Sequence, residues 1–302
     1  MIRKNSNTIK LSASDRRFYV INAIIMTLVF LLYAWPLWFV IISSFSDPDL
    51  VQSGGVILFP RGLHVGGYTR IFDYPDILRS YLNSLLYTVS GTVLNIVMTV
   101  CAAYPLSRED FMPRKALTVL FVATMYISGG LIPTFLVVKG LGMYNTVWAM
   151  IVPGAVSIYN ALILRSFFMY GIPKSIEEAA VLDGANTLQM LVRVMLPLVK
   201  PTLAVLILYY AVGHWNDYFS ALIYINERKL LPLQSVLRDV LIVGKIDQTT
   251  SELEMEAIVK KMKQVQTLKY SVIIVSTLPL MLVYPFIQKH FVKGIMIGAV
   301  KG

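Results

Sequence analysis

Six apolar stretches alternate with polar ones along the chain, each close to the length of about 20 residues that a membrane-crossing helix needs. They run Phe18–Phe45, Tyr81–Leu106, Ala116–Val138, Thr146–Tyr170, Leu198–Ile225 and Tyr270–His290. The pattern predicts an all-α, polytopic membrane protein with six transmembrane helices. Pro36, Pro133, Pro153 and Pro279 fall inside or near these stretches. In water each would break a helix, but in a membrane neighbouring helices re-satisfy the freed backbone groups.

The polar stretches divide the chain. Residues 1–79 hold an N-terminal tail, the first helix and an external loop, Ser46–Leu78, whose Gly, Pro and Asp content reads as irregular cover. Residues 80–290 form a core with two insertions, at 165–200 and 226–269, and residues 291–302 are a short tail. In the second insertion Leu233, Val236, Leu237, Val240 and Leu241 recur at helical spacing. Glu252–Gln264 reads as another helical stretch, with Glu256 and Lys260 placed as an i,i+4 pair. This insertion is either a lid on the membrane surface or a docking face for an extracellular partner.

Composition agrees with lipid as the solvent. Of 302 residues 56% are hydrophobic and 15% charged, with mean hydropathy +0.66, whereas soluble domains are about 25% charged. The net charge of +10 raises nucleic acid as a partner, but the basic residues sit at the ends of apolar runs and leave no polar groove for phosphates. No nucleic-acid binding is expected. Arg3, Lys4, Lys10, Arg16 and Arg17 precede the first stretch, and Arg108, Arg114, Lys115, Arg165, Lys174, Arg193 and Lys200 fall in alternate loops. The opposite short loops carry only Arg61, Arg70, Arg79 and Lys139. The positive-inside rule then predicts that both termini are cytoplasmic. The first apolar run is longer than a signal-peptide core of about 7–15 residues and is expected to be retained. The single cysteine, Cys101, excludes an internal disulfide, and His64, His214 and His290 show no metal spacing.

The 165–200 insertion has internal order. Pro173 suits a helix start, and Ser175 stands three residues before Glu178 at capping-box spacing. Ile176, Ala179, Ala180 and Leu182 then form an apolar stripe, and Asp183-Gly184 stops the helix. Asn186 with Gln189 caps a second short helix whose apolar face is Leu188, Leu191, Val192 and Met195; Leu196-Pro197 ends it. Two helices this short are not stable alone, so their stripes need a partner: the underside of their own bundle, lipid headgroups, or a groove on a cytoplasmic protein.

The string Glu178-Ala179-Ala180, then Gly184, then Val194-x-Leu196-Pro197 resembles the E-A-A loop of ATP-binding-cassette (ABC) importer permeases at every fixed spacing. Leu141–Thr146, Trp215-Asn216 and the tail Lys293–Gly302 are similar to the MalG-type sugar permeases. Ser128–Pro133 and Gly213–Tyr218 resemble a YtcP/LplC-like branch handling complex oligosaccharides. The resemblance covers about residues 80–302. It implies the type I ABC importer permease fold and a place in the bacterial plasma membrane. It also implies four kinds of neighbour: a second permease subunit in a heterodimer, two copies of a cytoplasmic ATPase, a lipid-anchored extracellular solute-binding protein, and membrane lipid. On this likeness Glu178, Ala179, Ala180, Asp183, Gly184, Leu196 and Pro197 form the ATPase-coupling set.

The residues agree with that division of labour. No G-x-x-x-x-G-K-[ST] loop, H-E-x-x-H or G-x-S-x-G occurs, so the chain is expected to be no enzyme and to bind no cofactor, with ATP and Mg used by the partner ATPase. Polar groups at membrane depth face protein or water, which makes Asn83, Trp215, Asn216, Asp217 and Tyr218 candidates for a translocation pathway. Ser84, Tyr87, Asn95, Tyr126 and Asn160 share that cost, and interhelical packing is the competing role for all of them. Two other readings stay open. One is an ABC importer of a non-sugar solute. The other is a secondary transporter, against which stands Asp217 as the only acid well inside a predicted span.

Overall fold

The computed structural model of the chain describes residues 12–73, 75–243, 268–282 and 285. All regular structure among the described residues is helical. The expected helix Glu252–Gln264 and the tail 291–302 lie outside them.

The described residues fall into two compact units, one of residues 12–68 with 268–274, the other of 69–73 and 75–243 with 275–282 and 285. The first is built on helix α1 (Ala13–Ser44), which Ser12 and Asp15 start with a reciprocal capping box. None of its apolar window is buried inside the chain, so lipid or another subunit must cover it. The loop that follows is more ordered than its composition suggests. Asp47 caps α2 (Pro48–Gln52), with Pro48 in the first turn where its missing N–H costs nothing. The Ser46 hydroxyl accepts from Arg61 N at 3.2 Å, and Trp38 Nε1 donates to Leu58 O at 2.9 Å. A third helix, α3, spans Gly66–Asp73.

The second unit is organised around α4 (Pro75–Ser107). At 33 residues it runs about 50 Å, well beyond a hydrocarbon layer of about 30 Å, so it starts before and ends after the expected second crossing. The expected third crossing is not one helix. It is α5 (Arg114–Tyr126) and α6 (Leu131–Gly140), bent by 116°. The break falls where Gly130 takes φ 85, a left-handed value cheap only for glycine. The expected fourth crossing is α7 (Trp148–Ile151) and α8 (Ile158–Tyr170), separated at Pro153 and Gly154, the latter at φ 78. The expected fifth is α12 (Lys200–Trp215) and α13 (Phe219–Tyr224). Between α8 and α12 lie α9 (Lys174–Leu182), α10 (Thr187–Gln189), a π-turn over Met190–Met195 and α11 (Leu196–Leu198). The chain then passes a short 3₁₀ turn at Arg228–Leu230 into α14 (Leu233–Val243), and α15 covers Leu268–Leu282. Among the described residues only α1 and α4 are long and apolar enough to cross a membrane unbroken. Hydropathy averages over single Gly and Pro breakers, which is why the interrupted segments read as continuous.

Among the described residues two apolar clusters hold this unit. One joins Val100, Ala103 and Tyr104 of α4 to Leu164 and Phe168 of α8, Met190, Met195 and Val199, and Leu206 and Tyr210 of α12. The other joins Tyr87 of α4 to Val138, Ala149–Ile151, Ala221 and Tyr224.

Candidate functional site

The 165–200 insertion is two short helices on a fixed base. Pro173, extended at ψ 132, leads directly into α9 with no side-chain cap. The expected Ser175–Glu178 capping box is therefore absent: the helix begins at Lys174, which places Ser175 inside the first turn. Gly184 takes φ 78 at the corner, and Ala185 N donates back to Ala180 O at 3.0 Å, a helix stop of the glycine type. Asn186 and Gln189 bond reciprocally at 2.9 and 3.0 Å, closing the capping box their spacing predicts.

The second helix differs from its expected face. Met190 and Met195 are both buried, a spacing of five that fits the π-turn and not a 3.6-residue repeat. Leu188 and Val192 are left outside. So are Val181 and Leu182 of α9: Leu182 is 88% and Leu188 68% exposed. The chain then turns by 82° into α12 at Val199, two residues after Pro197. Of the coupling set, Glu178, Ala179, Asp183, Gly184 and Pro197 are exposed, while Ala180 and Leu196 pack against the Met190–Met195 cluster.

The base of the loop is tied to the end of α4. Arg108 pairs with Glu177, both half-buried, and its guanidinium lies 5.9 Å over the Tyr104 ring. Burial alone would lower the Arg108 pKa; the Glu177 carboxylate reverses that and holds it above its ordinary value. Arg165 Nε donates to Leu106 O at 2.8 Å, and Lys174 Nζ reaches Glu109 at 3.1 Å. A cavity of about 850 Å³ opens between these groups, lined by Arg108, Asp110, Glu177, Glu178 and Leu182 among others. The acid that anchors α9 is thus Glu177, one position before the motif's Glu178, which makes no bond among the described residues. Sequence reasoning missed it because its partner is 69 positions away.

The pathway candidates each make protein contacts of their own. Asn83 Nδ2 donates to Lys229 O at 2.8 Å and Leu231 O at 3.1 Å. Beside it Tyr87 donates to Leu230 O, and the Ser84 hydroxyl accepts from Leu233 N, each at 2.8 Å. These three side chains satisfy the backbone of the 229–233 turn, so Asn83 clamps that turn. On the other side Asn145 Oδ1 accepts from Asn226 N and Glu227 N at 3.0 and 2.8 Å. Asn83→Ala removes two of these bonds, at about 1 kcal/mol each. Amide exchange at Leu230, Leu231 and Leu233 is expected to rise in that variant while exchange along α8 stays as it was.

Trp215 is 3% exposed, donates Nε1 to Ser276 O at 2.9 Å and meets Tyr81 edge-on. It is a packing residue. Asn216 bonds back to Val212 O at 3.0 Å, and Asp217 Oδ1 accepts from Ser220 N at 3.0 Å, starting α13. Asn216 and Tyr218 are both exposed, and the Tyr218 ring faces a neighbouring cation. Tyr218 is 43% exposed, with the Arg238 guanidinium 5.9 Å from its ring centroid. Together with Ser235 and Asp239 these two line a cavity of about 100 Å³. Arg238 was not singled out in the sequence, because it lies in the separate 226–269 insertion. No group of His, Cys, Asp and Glu suited to a metal occurs among the described residues.

Residues 11–297 match the family described as binding-protein-dependent transport system inner membrane component. Protein LplC of Bacillus subtilis is 38% identical over 98% of this chain and 99% of its own length. The polygalacturonan/rhamnogalacturonan transport system permease protein YtcP, also of Bacillus subtilis, is 42% identical over 88% of this chain and 92% of its own. Among solved structures, a chain of a bacterial ABC transporter involved in the import of the acidic polysaccharide alginate is similar at TM-score 0.83 and 32% identity. That match covers 94% of this chain and all of the other. A helical membrane chain with an ordered E-A-A loop and these relatives belongs to the binding-protein-dependent transport inner membrane component family, the membrane permeases of ABC importers.

Proposed function

We propose that the chain is one of two permease subunits of an ATP-driven oligosaccharide importer, with both termini in the cytoplasm. A separate cytoplasmic ATPase, present in two copies, uses ATP and Mg; this chain binds neither. A lipid-anchored solute-binding protein delivers the sugar from outside. The observation that carries this reading is the apolar edge of the insertion, Val181, Leu182, Leu188 and Val192, left exposed on helices whose other faces are packed. Apolar residues held on a rigid base and facing water are a docking surface. Glu178, Ala179, Ala180, Asp183, Gly184, Leu196 and Pro197 form or shape that surface. The ATPase's closure enters there as a rigid-body push, and α8 and α12, the two arms of the loop, carry it into the membrane.

The substrate is an acidic oligosaccharide. Two similar proteins are described by polygalacturonan/rhamnogalacturonan and alginate, and Tyr218 with Arg238 supplies a ring face and a cation for a sugar carboxylate. Trp215, Asn216 and Asp217 shape that corner without touching sugar. The complete importer in proteoliposomes tests this reading. Uptake of acidic oligosaccharide should require internal ATP and the binding protein. Arg238→Ala should cut acidic uptake roughly tenfold, as expected for one charge-assisted hydrogen bond, and spare a neutral oligomer. ATP-independent uptake would sink the importer reading; equal loss for both sugars would sink the substrate assignment.

A further inference from the structure

Along α4 the two apolar clusters are separated by a polar seam. Tyr87 belongs to one cluster, and Val100, Ala103 and Tyr104 to the other. Between them lie Thr88 and Thr92, whose buried hydroxyls find no partner among the described residues, and Asn95, which is 2% exposed. Asn95 Nδ2 donates to Gly154 O at 3.0 Å and Ala155 O at 2.9 Å. With its nitrogen committed to two carbonyls, Asn95 must present Oδ1 to His214, and His214 Nε2 lies 2.6 Å from it. Nε2 therefore carries the proton. Gly91, one turn earlier on α4, makes room for the ring: the three atoms nearest to a Cβ added there all belong to the His214 imidazole, well inside contact distance.

The position of this knot is informative. His214 is at the end of α12, and Gly154 and Ala155 are in the break just before α8. These are the two arms of the 165–200 insertion. At 13 residues, α8 places the knot about 20 Å from the loop. The loop ends of both arms are fused into one apolar block, whereas at the seam itself Asn95 bonds to both arms, to the 154–155 carbonyls on one side and to His214 on the other. Two rigid blocks joined across a seam of few, exchangeable hydrogen bonds make a joint, because packed cores shift between discrete arrangements and do not deform smoothly.

We propose that His214 and Asn95 form the latch of this joint: it holds α12 and the 154–155 carbonyls on α4 in the resting arrangement and opens when the loop-side block is driven by the ATPase. Both are positioning residues, acting through the arms and not on the sugar. The proposal rests on the importer reading above. It is tested on the complete importer by ATP hydrolysis with and without binding protein. His214→Ala and Gly91→Ala, the second of which displaces only the ring, should each raise hydrolysis in the absence of binding protein roughly 2–30-fold, the span of coupling changes produced between distant sites. His214→Gln, whose amide can still donate to Asn95, should restore tight coupling. The His214→Ala/Asn95→Ala pair should match the worse single variant. Full assembly with unchanged coupling in all variants would overturn the latch alone. So would loss of assembly in the Gln variant, which marks a purely structural role. A wild-type complex that hydrolyses no ATP would remove the importer reading and the latch with it.

Discussion

Gly184→Val is expected to abolish uptake while the protein still inserts and assembles with its partner permease. Gly184 holds φ 78 with nothing within 4 Å of where a Cβ would stand. The substitution therefore meets no steric block, and its whole cost is conformational. A left-handed L-residue costs about 1–2 kcal/mol, and a β-branched one more. The strain sits at the corner between α9 and α10, where few contacts resist relaxation, so α9 swings away from the cluster that fixes Ala180. Gly184→Asn is the matched control, since asparagine visits this region readily. Transport in the asparagine variant should stay within a few-fold of the parent, while the valine variant falls to background. Equal activity of the two would show that the corner has no part in coupling.

Charge reversal at the base of the loop should give the second large effect. Arg108 and Glu177 join α4 to α9, half-buried and paired. Removing either leaves an uncompensated charge, at about 3–5 kcal/mol where such pairs are fully buried and less at this partly solvated site. Glu177→Arg should lower uptake at least as far as Glu178→Arg, although only Glu178 lies in the motif. The exchanged pair Arg108→Glu/Glu177→Arg should recover much of the loss. Failure of the exchange to recover any activity, with the complex intact, would mean that Glu177 serves something other than Arg108.

What could be read from the chain beforehand was local. The Gly184 corner and the Asn186–Gln189 box depend on residues within five positions of each other. The E-A-A spacing was equally plain, because a helix, a glycine stop and a second helix leave their marks in consecutive residues. Long-range partners left no such mark. Asn83 looked like a pathway residue because a polar group at membrane depth demands a partner, and its partners are backbone carbonyls 146 and 148 positions later. Backbone acceptors carry no side-chain signature. The burial of Met195 was expected, but that of Met190 was hidden by a helix whose period departs from 3.6. Trp215 left pathway and interhelical packing both open in the sequence, and its ring packs edge-on against Tyr81. Arg238 was passed over because the pocket it shares with Tyr218 forms only when α14 folds back beside α13.

Everything turns on whether Leu182 and Leu188 touch the ATPase. Cys101, the only cysteine of the chain, is exposed and must first be replaced by serine. Leu182→Cys in that background is then paired with single cysteines across the surface of the co-expressed ATPase, and disulfide formation is read with and without ATP. The account predicts a cross-link to one patch of the ATPase, with a yield that changes on nucleotide binding. A Leu182→Cys side chain that forms no cross-link anywhere on the ATPase, or that reacts with a membrane-impermeant maleimide from outside intact cells, would contradict it.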